Sequence, residues 1–202
     1  MIEFFPETHE YQVNGIITPS VTTLIGTIWL PDKYKGISKT VLRRAADYGN
    51  RVHELIEHCD EEMPEWYERK SEEGRALKNY LRIREANNIV ISSCEVPVAY
   101  TGENDTPLFA GMYDMVGTVN GKTAIIDIKT TAKYDQPYLS YQLTLYKMAI
   151  EQMAEIHMEE GYCLHLPKKG YANLIKVPFL DGEKLRRDIE QWQSLALDDL
   201  PF

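Results

Sequence analysis

Apolar residues in the first part of the chain recur with helical spacing after a short β-rich start. Residues 9–13 and 16–18 flank Asn14-Gly15 and predict a β-hairpin, because Asn-Gly favours the type I′ turn. Three helical segments follow: one capped by Ser20 and ending near Trp29, one beginning near Ser38 with an expected break at 48–50, and a charged surface helix over about 64–86.

The second half of the chain alternates between strand and helix patterns. Residues 88–100 are β-rich and contain Pro97, which suits an edge strand or a bulge. Residues 107–119 and 122–130 flank Asn120-Gly121 and predict a tight hairpin. The remaining predicted elements are a helix with an apolar stripe at 139, 143, 146, 150 and 153, two short strands at 161–167 and 171–178, and an amphipathic helix over about 181–197.

These elements predict an α/β (α+β) fold with a central mixed sheet flanked by helices. No repeat, low-complexity tract or Gly/Ser linker divides the chain, so we expect a single domain over residues 1–202. Within it we assign the N-terminal hairpin and helix to 1–37, a helical region to 38–88, the core sheet to 89–180 and the C-terminal helix to 181–202.

Composition is ordinary for a globular protein, with 44% hydrophobic and 26% charged residues. No apolar run approaches a membrane span and the first residues lack a signal-peptide core, so we expect residence in the cytoplasm. Three scattered cysteines without CxxC spacing argue against a disulfide framework and against a structural zinc site.

The net charge of −9 has the wrong sign for a protein that binds nucleic acid by charge alone. Its distribution is uneven. Residues 31–51 carry six bases against two acids, a net of +4, and residues 54–73 carry nine acids against two bases, a net of −7. Such blocks can form a directional surface field or be two ordinary solvated helix faces, and charge alone does not decide between them.

The hairpin around Asn120-Gly121 permits a geometric prediction. If these two residues form the loop, Val119 pairs with Lys122, and the numbers of paired residues sum to 241. Asp114 then lies opposite Asp127, with Cβ atoms about 4.5–5.5 Å apart. Lys129 shares their face because side chains alternate with period two.

Two carboxylates directly across a ladder repel each other, and a buried carboxylate needs a partner. A hard divalent cation with oxygen ligands would satisfy both Asp114 and Asp127. The alternative is a salt bridge from Lys129 to Asp127, with Asp114 partly solvated. The spacing alone leaves both interpretations open.

Three motifs in order resemble the PD-(D/E)XK nuclease superfamily. They are G-M-Y-D at 111–114, A-I-I-D-I-K-T-T at 124–131 and the Q-x-x-x-Y helix within 138–146. The set is most similar to the RecB-like branch, including phage-encoded exonucleases, and the N-terminal H-E-Y-Q-V-N-G segment resembles phage members. The resemblance implies a restriction-endonuclease-like core and metal-dependent hydrolysis of phosphodiester bonds in DNA.

The resemblance also implies roles for individual residues. Asp114, Asp127 and the backbone carbonyl of Ile128 would hold Mg²⁺ or Mn²⁺, and Lys129 would orient the attacking water. Four further positions receive roles from the resemblance. His53 of G-x-x-x-H would be a metal ligand supplied by a helix, and Glu95 would be an extra ligand or a solvent-facing strand residue. Gln142 and Tyr146 would be positioning groups, or else an interfacial amide and a core tyrosine.

Two departures from the family pattern are visible. Tyr113 stands where the superfamily name would place proline, which we expect to be harmless. The cysteine cluster of the iron–sulfur members is missing, so we predict no iron–sulfur cluster. The resemblance implies DNA as the partner, allows a recombinase or single-strand annealing protein and an oligomer beside it, and implies a bacterial or phage-infected host cell.

Two rival functions were weighed. A zinc hydrolase is suggested by H-E-L-I-E-H at 53–58. The motif H-E-x-x-H would need a histidine at position 57, and the inverted motif H-x-x-E-H would need one at position 54. Both positions are glutamate, so neither motif is present. A non-catalytic nucleic-acid- or protein-binding module that retains the nuclease fold fits the acidic balance. The complete set of Asp114, Asp127, Lys129 and Gln142 with Tyr146 argues against it.

Overall fold

The computed structural model describes residues 1–8, 10–33, 35–60 and 63–198. Of residues 196–198 it describes the backbone without the side chains. The chain begins with an antiparallel sheet of β1 (Ile2–Phe5), β2 (Glu10–Val13) and β3 (Ile16–Thr18). The β2–β3 hairpin is the predicted one, although its expected first residue, His9, lies outside the described part. Strand β1 was not predicted, because four residues followed by Pro6 are too short a run to show alternation.

The N-terminal helices differ from the prediction in their bounds. Helix α1 (Val21–Leu24) is capped by Ser20, whose Oγ accepts the Thr23 N–H at 3.0 Å, and a π-helical turn extends it to Trp29. Helix α2 (Lys39–Glu57) runs through 48–50, so the predicted break is wrong. A glycine in a helix costs only about 1 kcal/mol, and burial of the flanking Tyr48 and Val52 outweighs it.

Helix α3 (Glu72–Ala86) is shorter than predicted, because Ser71 ends the preceding turns and caps it. Its Oγ accepts the Gly74 N–H at 2.9 Å. No helix among the described residues is long and apolar enough to cross a membrane.

A five-stranded mixed sheet follows. Its order is β4 (Val90–Thr101), β5 (Pro107–Val119), β6 (Lys122–Lys129), β7 (Glu160–His165) and β8 (Asn173–Val177). Neighbouring strands are antiparallel except β6 and β7, which α4 (Gln136–Ala154) connects as a crossover helix. Helix α5 (Gly182–Asp198) ends the described chain. Pro97 lies on β4, which is an edge strand, as predicted.

The sheet separates two hydrophobic cores. Ile125 and Cys163 pack with Leu143 of α4 on one face, whereas Ile126 and Leu164 pack with Val52 of α2 on the other. Successive residues of β6 therefore point to opposite layers. The carboxyl end of β6 is where side chains of both helical layers can meet those of the sheet.

Candidate active site

The turn of the β5–β6 hairpin has the geometry that its sequence predicts. Asn120 and Gly121 have φ values of 49° and 82°, as a type I′ turn requires. The register runs from Val119↔Lys122 to Met115↔Ile126, and these pairs sum to 241. One step further along both strands are Asp114 and Asp127.

The backbone ladder ends at this step. The Asp114 carboxylate accepts the N–H of Ile128 at 2.6 Å, so a side-chain oxygen takes an amide of β6 that a ladder carbonyl would otherwise accept. Asp114 is thereby fixed at the open end of the hairpin. Its other oxygen faces α2.

A third carboxylate extends this row across strand β4. Cys94 pairs with Met115 and Val96 with Tyr113, so Glu95 lies opposite Asp114. Glu95 has φ 50°, in the left-handed region where a residue with a Cβ costs roughly 1–2 kcal/mol. Glu95, Asp114 and Asp127 thus occupy one level of three adjacent strands, with the backbone strained at the first.

Helix α2 adds an imidazole to the row. The Nδ1 atom of His53 lies 3.4 Å from Oε1 of Glu95 and 3.8 Å from Oδ1 of Asp114. Its Nε2 lies 3.2 Å from the carbonyl oxygen of Ile128. One ligand atom each from His53, Glu95 and Asp114 fall within 4.8 Å of one another, so this cluster could hold a metal ion.

The protonation of His53 follows from these neighbours. Burial lowers the pKa of the imidazole, but the carboxylates of Asp114 and Glu95 outweigh burial and raise it to about 9. Both ring nitrogens face acceptors, as an imidazolium requires. In this structure the histidine is therefore a cation among carboxylates.

Asp127 is turned away from that cluster toward Lys129. The Nζ of Lys129 donates to Oδ1 at 2.9 Å and lies 2.7 Å from Oδ2. Burial and the charge of Asp114 raise the pKa of Asp127, whereas Lys129 opposes the rise. Burial lowers the pKa of Lys129, but Asp127 and Asp114 prevail and raise it, so the ammonium stays charged.

Two buried side-chain oxygens near this pair lack a hydrogen bond among the described residues. They are Oδ2 of Asp127, which the Lys129 ammonium nevertheless compensates as an ion pair at 2.7 Å, and Oε1 of Gln142. The unsatisfied Gln142 oxygen costs about 1–3 kcal/mol and is a ready acceptor for a group that enters the site. Both oxygens therefore mark the interior of the same site.

Gln142 and Tyr146 of α4 form the wall on the other side of the sheet, and both are buried. Burial, and after it the charges of Asp114 and Asp127, raise the pKa of Tyr146 well above its ordinary value, while a hydrogen bond with Gln142 opposes the rise. A Cβ on Gly111 would lie 2.8 Å from Cε1 of Tyr146. The glycine of G-M-Y-D is thus required for close approach of the tyrosine.

The structure brings the predicted site residues into one neighbourhood. Glu95 and Asp114 face Nδ1 of His53, and the Ile128 carbonyl faces its Nε2. Asp127 is paired with Lys129 instead. The sequence did not single out Lys33, which lies close enough to Lys129 and Asp127 for their charges to affect its pKa, after burial and Asp135. The only signal for it was its place in the basic block at 31–51, because loop residues have no periodicity.

The sequence was next compared with known proteins. A family model of the PD-(D/E)XK nuclease superfamily matches residues 65–200, which is more than half of the chain. The chain belongs to this superfamily. The matched part includes Glu95, Asp114, Asp127, Lys129, Gln142 and Tyr146, whereas His53 lies before it. No curated protein matches the sequence.

Two solved structures are similar to this chain. One, solved as SSO0001, has a TM-score of 0.38 and 21% identity, over 59% of this chain and 57% of its own. The other, from Eubacterium rectale and provisionally described as an exonuclease, has a TM-score of 0.48 and 14% identity, over 88% of this chain and 75% of its own. In this member of the superfamily the five-stranded sheet flanked by helices is the expected restriction-endonuclease-like α/β fold.

Proposed function

We propose that this PD-(D/E)XK nuclease is a Mg²⁺- or Mn²⁺-dependent deoxyribonuclease. The observation that carries the proposal is the convergence of His53, Glu95, Asp114 and the Ile128 carbonyl beside the Asp127–Lys129 pair. These groups come from four elements, the helix α2 and the consecutive strands β4, β5 and β6. A structural salt bridge would need only one of these carboxylates.

The donor set fits a hard divalent ion. It consists of carboxylates, a backbone carbonyl and one imidazole, which suit Mg²⁺ or Mn²⁺ better than a soft metal. Ligand atoms about 2.1 Å from Mg²⁺ lie up to roughly 4.2 Å apart, slightly closer than the 4.8 Å spread of the cluster. The partly exposed Glu95 can close that gap by side-chain rotation, and Asp127 would offer an oxygen of its carboxylate as a further ligand.

The residues around the donor set divide the remaining work. When bound, the ion would stabilise charge on the phosphate and lower the pKa of water. Lys129, kept charged by Asp127, would orient the attacking water and offset negative charge developing on the phosphate. Asp114 would hold the end of β6 in register through the Ile128 amide. Gln142 and Tyr146 would position Lys129 or the phosphate from α4.

The resemblance to the RecB-like branch supports a finer proposal. We infer an exonuclease of phage or bacterial DNA recombination and repair, active in the cytoplasm of a bacterium or infected cell, with a recombinase or single-strand annealing protein as partner. Comparing end-labelled linear DNA with circular DNA tests it directly. Cleavage of the circle at the same rate would contradict exonuclease action.

Digestion of linear single- and double-stranded DNA with and without Mg²⁺ tests the nuclease proposal. We expect Lys129→Ala to lower the rate by about 10²–10⁴-fold, the usual range for a group acting on the transition state. Lys122→Ala is the matched control, because Lys122 lies on the same strand at the exposed turn end. Equal rates for wild type and Lys129→Ala would contradict the catalytic role.

A non-catalytic nucleic-acid- or protein-binding module is the second candidate, and the closed Asp127–Lys129 pair favours it. A gel shift in Ca²⁺ measures binding without requiring cleavage. Binding in Ca²⁺ combined with intact DNA in both Mg²⁺ and Mn²⁺ would support this alternative. Binding together with metal-dependent cleavage would exclude it.

A further inference from the structure

A cavity adjoins Lys129, and none of its lining residues belongs to the cluster of His53, Glu95 and Asp114. It has a volume of about 400 Å³, within the range of roughly 300–1,000 Å³ typical of small-ligand clefts. Three separate segments form it: the loop before α2, the segment after β6 and the first turn of α4. Its polar lining comprises Lys33, Lys129, Thr131, Lys133 and Asp135, with the ring of Tyr138 beside them.

Lys33 is held in place by two residues at the start of α4. Its Nζ donates to Oδ2 of Asp135 at 2.8 Å and lies 3.5 Å from the ring centroid of Tyr138. Asp135 in turn caps α4 by accepting the Tyr138 N–H at 3.1 Å. The ammonium of this loop residue is therefore fixed beside the active site, and its side chain is only 16% exposed.

The charge of the cavity points to an anion. Three lysines and Asp135 line it, and Asp127 pairs with Lys129 from outside the lining, which leaves an excess of one positive charge in a protein whose net charge is −9. A desolvated lysine with a fixed position is a strong partner for phosphate. The one residue that the cavity shares with the site described above is Lys129, so an anion bound there would adjoin the reacting phosphate.

We propose that this cavity binds a second phosphate of the nucleic-acid substrate, next to the scissile one, with Lys33 as its principal binding residue. The proposal rests on the proposed nuclease function. Two sources share this chemistry: an internal phosphodiester of the backbone, or the terminal phosphate of a DNA end. The ion pair between Lys33 and Asp135 would serve only to attach the loop to α4 if no phosphate binds.

Fluorescence anisotropy of labelled DNA duplexes in Ca²⁺ tests whether Lys33 binds phosphate or only attaches the loop to α4. The affinities of Lys33→Ala and Lys35→Ala are compared. Lys35 is the matched control because it is exposed, pairs with Asp32 at 3.1 Å and does not line the cavity. We expect Lys33→Ala to raise Kd about 10-fold, the effect of losing one charge-assisted contact, and to reduce the slope of log K against log salt by about 0.9. Lys35→Ala should change Kd less than about 2-fold.

The source of the phosphate follows from duplexes that carry 5′-phosphate, 5′-hydroxyl or 3′-phosphate ends. An equal loss of affinity on all three supports an internal phosphodiester, whereas a loss confined to one phosphorylated end supports a terminal phosphate. Indistinguishable Kd values for Lys33→Ala and Lys35→Ala, or wild-type protein that binds none of the duplexes, would overturn the proposal.

Melting temperatures of both variants show whether the fold is kept. If Lys33→Ala unfolds, Lys133→Ala tests the same cavity from an exposed position, with an expected loss of about 3–5-fold. The nuclease function fails separately, by intact DNA in Mg²⁺ and Mn²⁺. The phosphate site is judged by binding alone.

Discussion

The pKa of a buried carboxylate is lowered near the turn of the β5–β6 hairpin and raised at its open end. Near the turn, Glu160 of β7 lies 3.0 Å from the Nζ of Lys122 and 2.7 Å from that of Lys176. These lysines and Tyr162 lower the pKa of Glu160 to about 2, with the hydrogen bond from Lys176 the largest cause. At the open end the pKa of Asp127 is raised, because burial and Asp114 outweigh Lys129.

The difference distinguishes a structural site from a functional one in the same sheet. At the turn, cations outnumber carboxylates and the charges are balanced within the protein. At the open end, the cations that contact Glu95, Asp114 and Asp127 within the described part of the chain are His53 and Lys129. A row of carboxylates in excess of its cations is incomplete without a further positive charge, which is the property expected of a metal site.

The largest expected effect is on catalysis. Asp127→Asn should lower the cleavage rate by roughly 10³-fold, because it removes both a metal ligand and the anion that holds Lys129. Glu160→Gln should leave the rate within about 2-fold, although it changes an equally buried carboxylate. Single-turnover rates in Mg²⁺ measure both. Comparable losses in the two variants would mean that the contrast between the ends has no functional meaning.

Metal binding at the open end should stabilise the folded protein. At 100 times Kd an ion that binds only the folded state adds about 2.7 kcal/mol, which raises Tm by roughly 5–10 °C for a chain of this size. We expect this shift with Mn²⁺ for wild type and Glu160→Gln, measured by differential scanning fluorimetry after chelation. Asp114→Asn should lose most of it. A shift that survives in Asp114→Asn would place the ion elsewhere.

Strain at Glu95 gives a smaller effect, of about 1 kcal/mol. Because φ at this residue is 50°, Glu95→Gly should be more stable than Glu95→Ala by about that amount, measured by urea unfolding without metal. Both variants should lose metal affinity alike. If alanine is as stable as glycine, the left-handed backbone is not maintained in solution and Glu95 need not face the metal site.

The smallest effect concerns acid stability at the turn end. Since the pKa of Glu160 is depressed to about 2, its ionised form stabilises the fold at pH values above the unfolded pKa of about 4.3. That contribution should be lost as the pH falls toward 2. Partners that are more than half exposed limit it to about 1 kcal/mol or less.

The measurement is the difference in unfolding free energy between wild type and Glu160→Gln. It should be constant between pH 5 and 7 and close to zero near pH 2 (expected from the pKa of about 2). A difference that grows on acidification would have the wrong sign and would contradict the depressed pKa.

Much of the open end was predictable because it depends on local rules. The Asn120-Gly121 turn determines the register and hence places Asp114 level with Asp127. The facing of Glu95 was not predictable, because a register shift between Ile91 and Ser93 and the positive φ of Glu95 interrupt strand alternation. The uninterrupted α2 was missed as well, since burial of Tyr48 against α3 is a tertiary effect that overrides glycine propensity.

The hydrogen bond between His53 and the Ile128 carbonyl has a further consequence. It holds the ring with Nδ1 directed toward Glu95 and Asp114, so the imidazole is oriented toward both carboxylates before an ion enters. Loading the site would then require little rearrangement of the backbone. The end of β6 should accordingly keep its backbone conformation on loading, and its protection from hydrogen exchange should rise only by the stability that the ion adds.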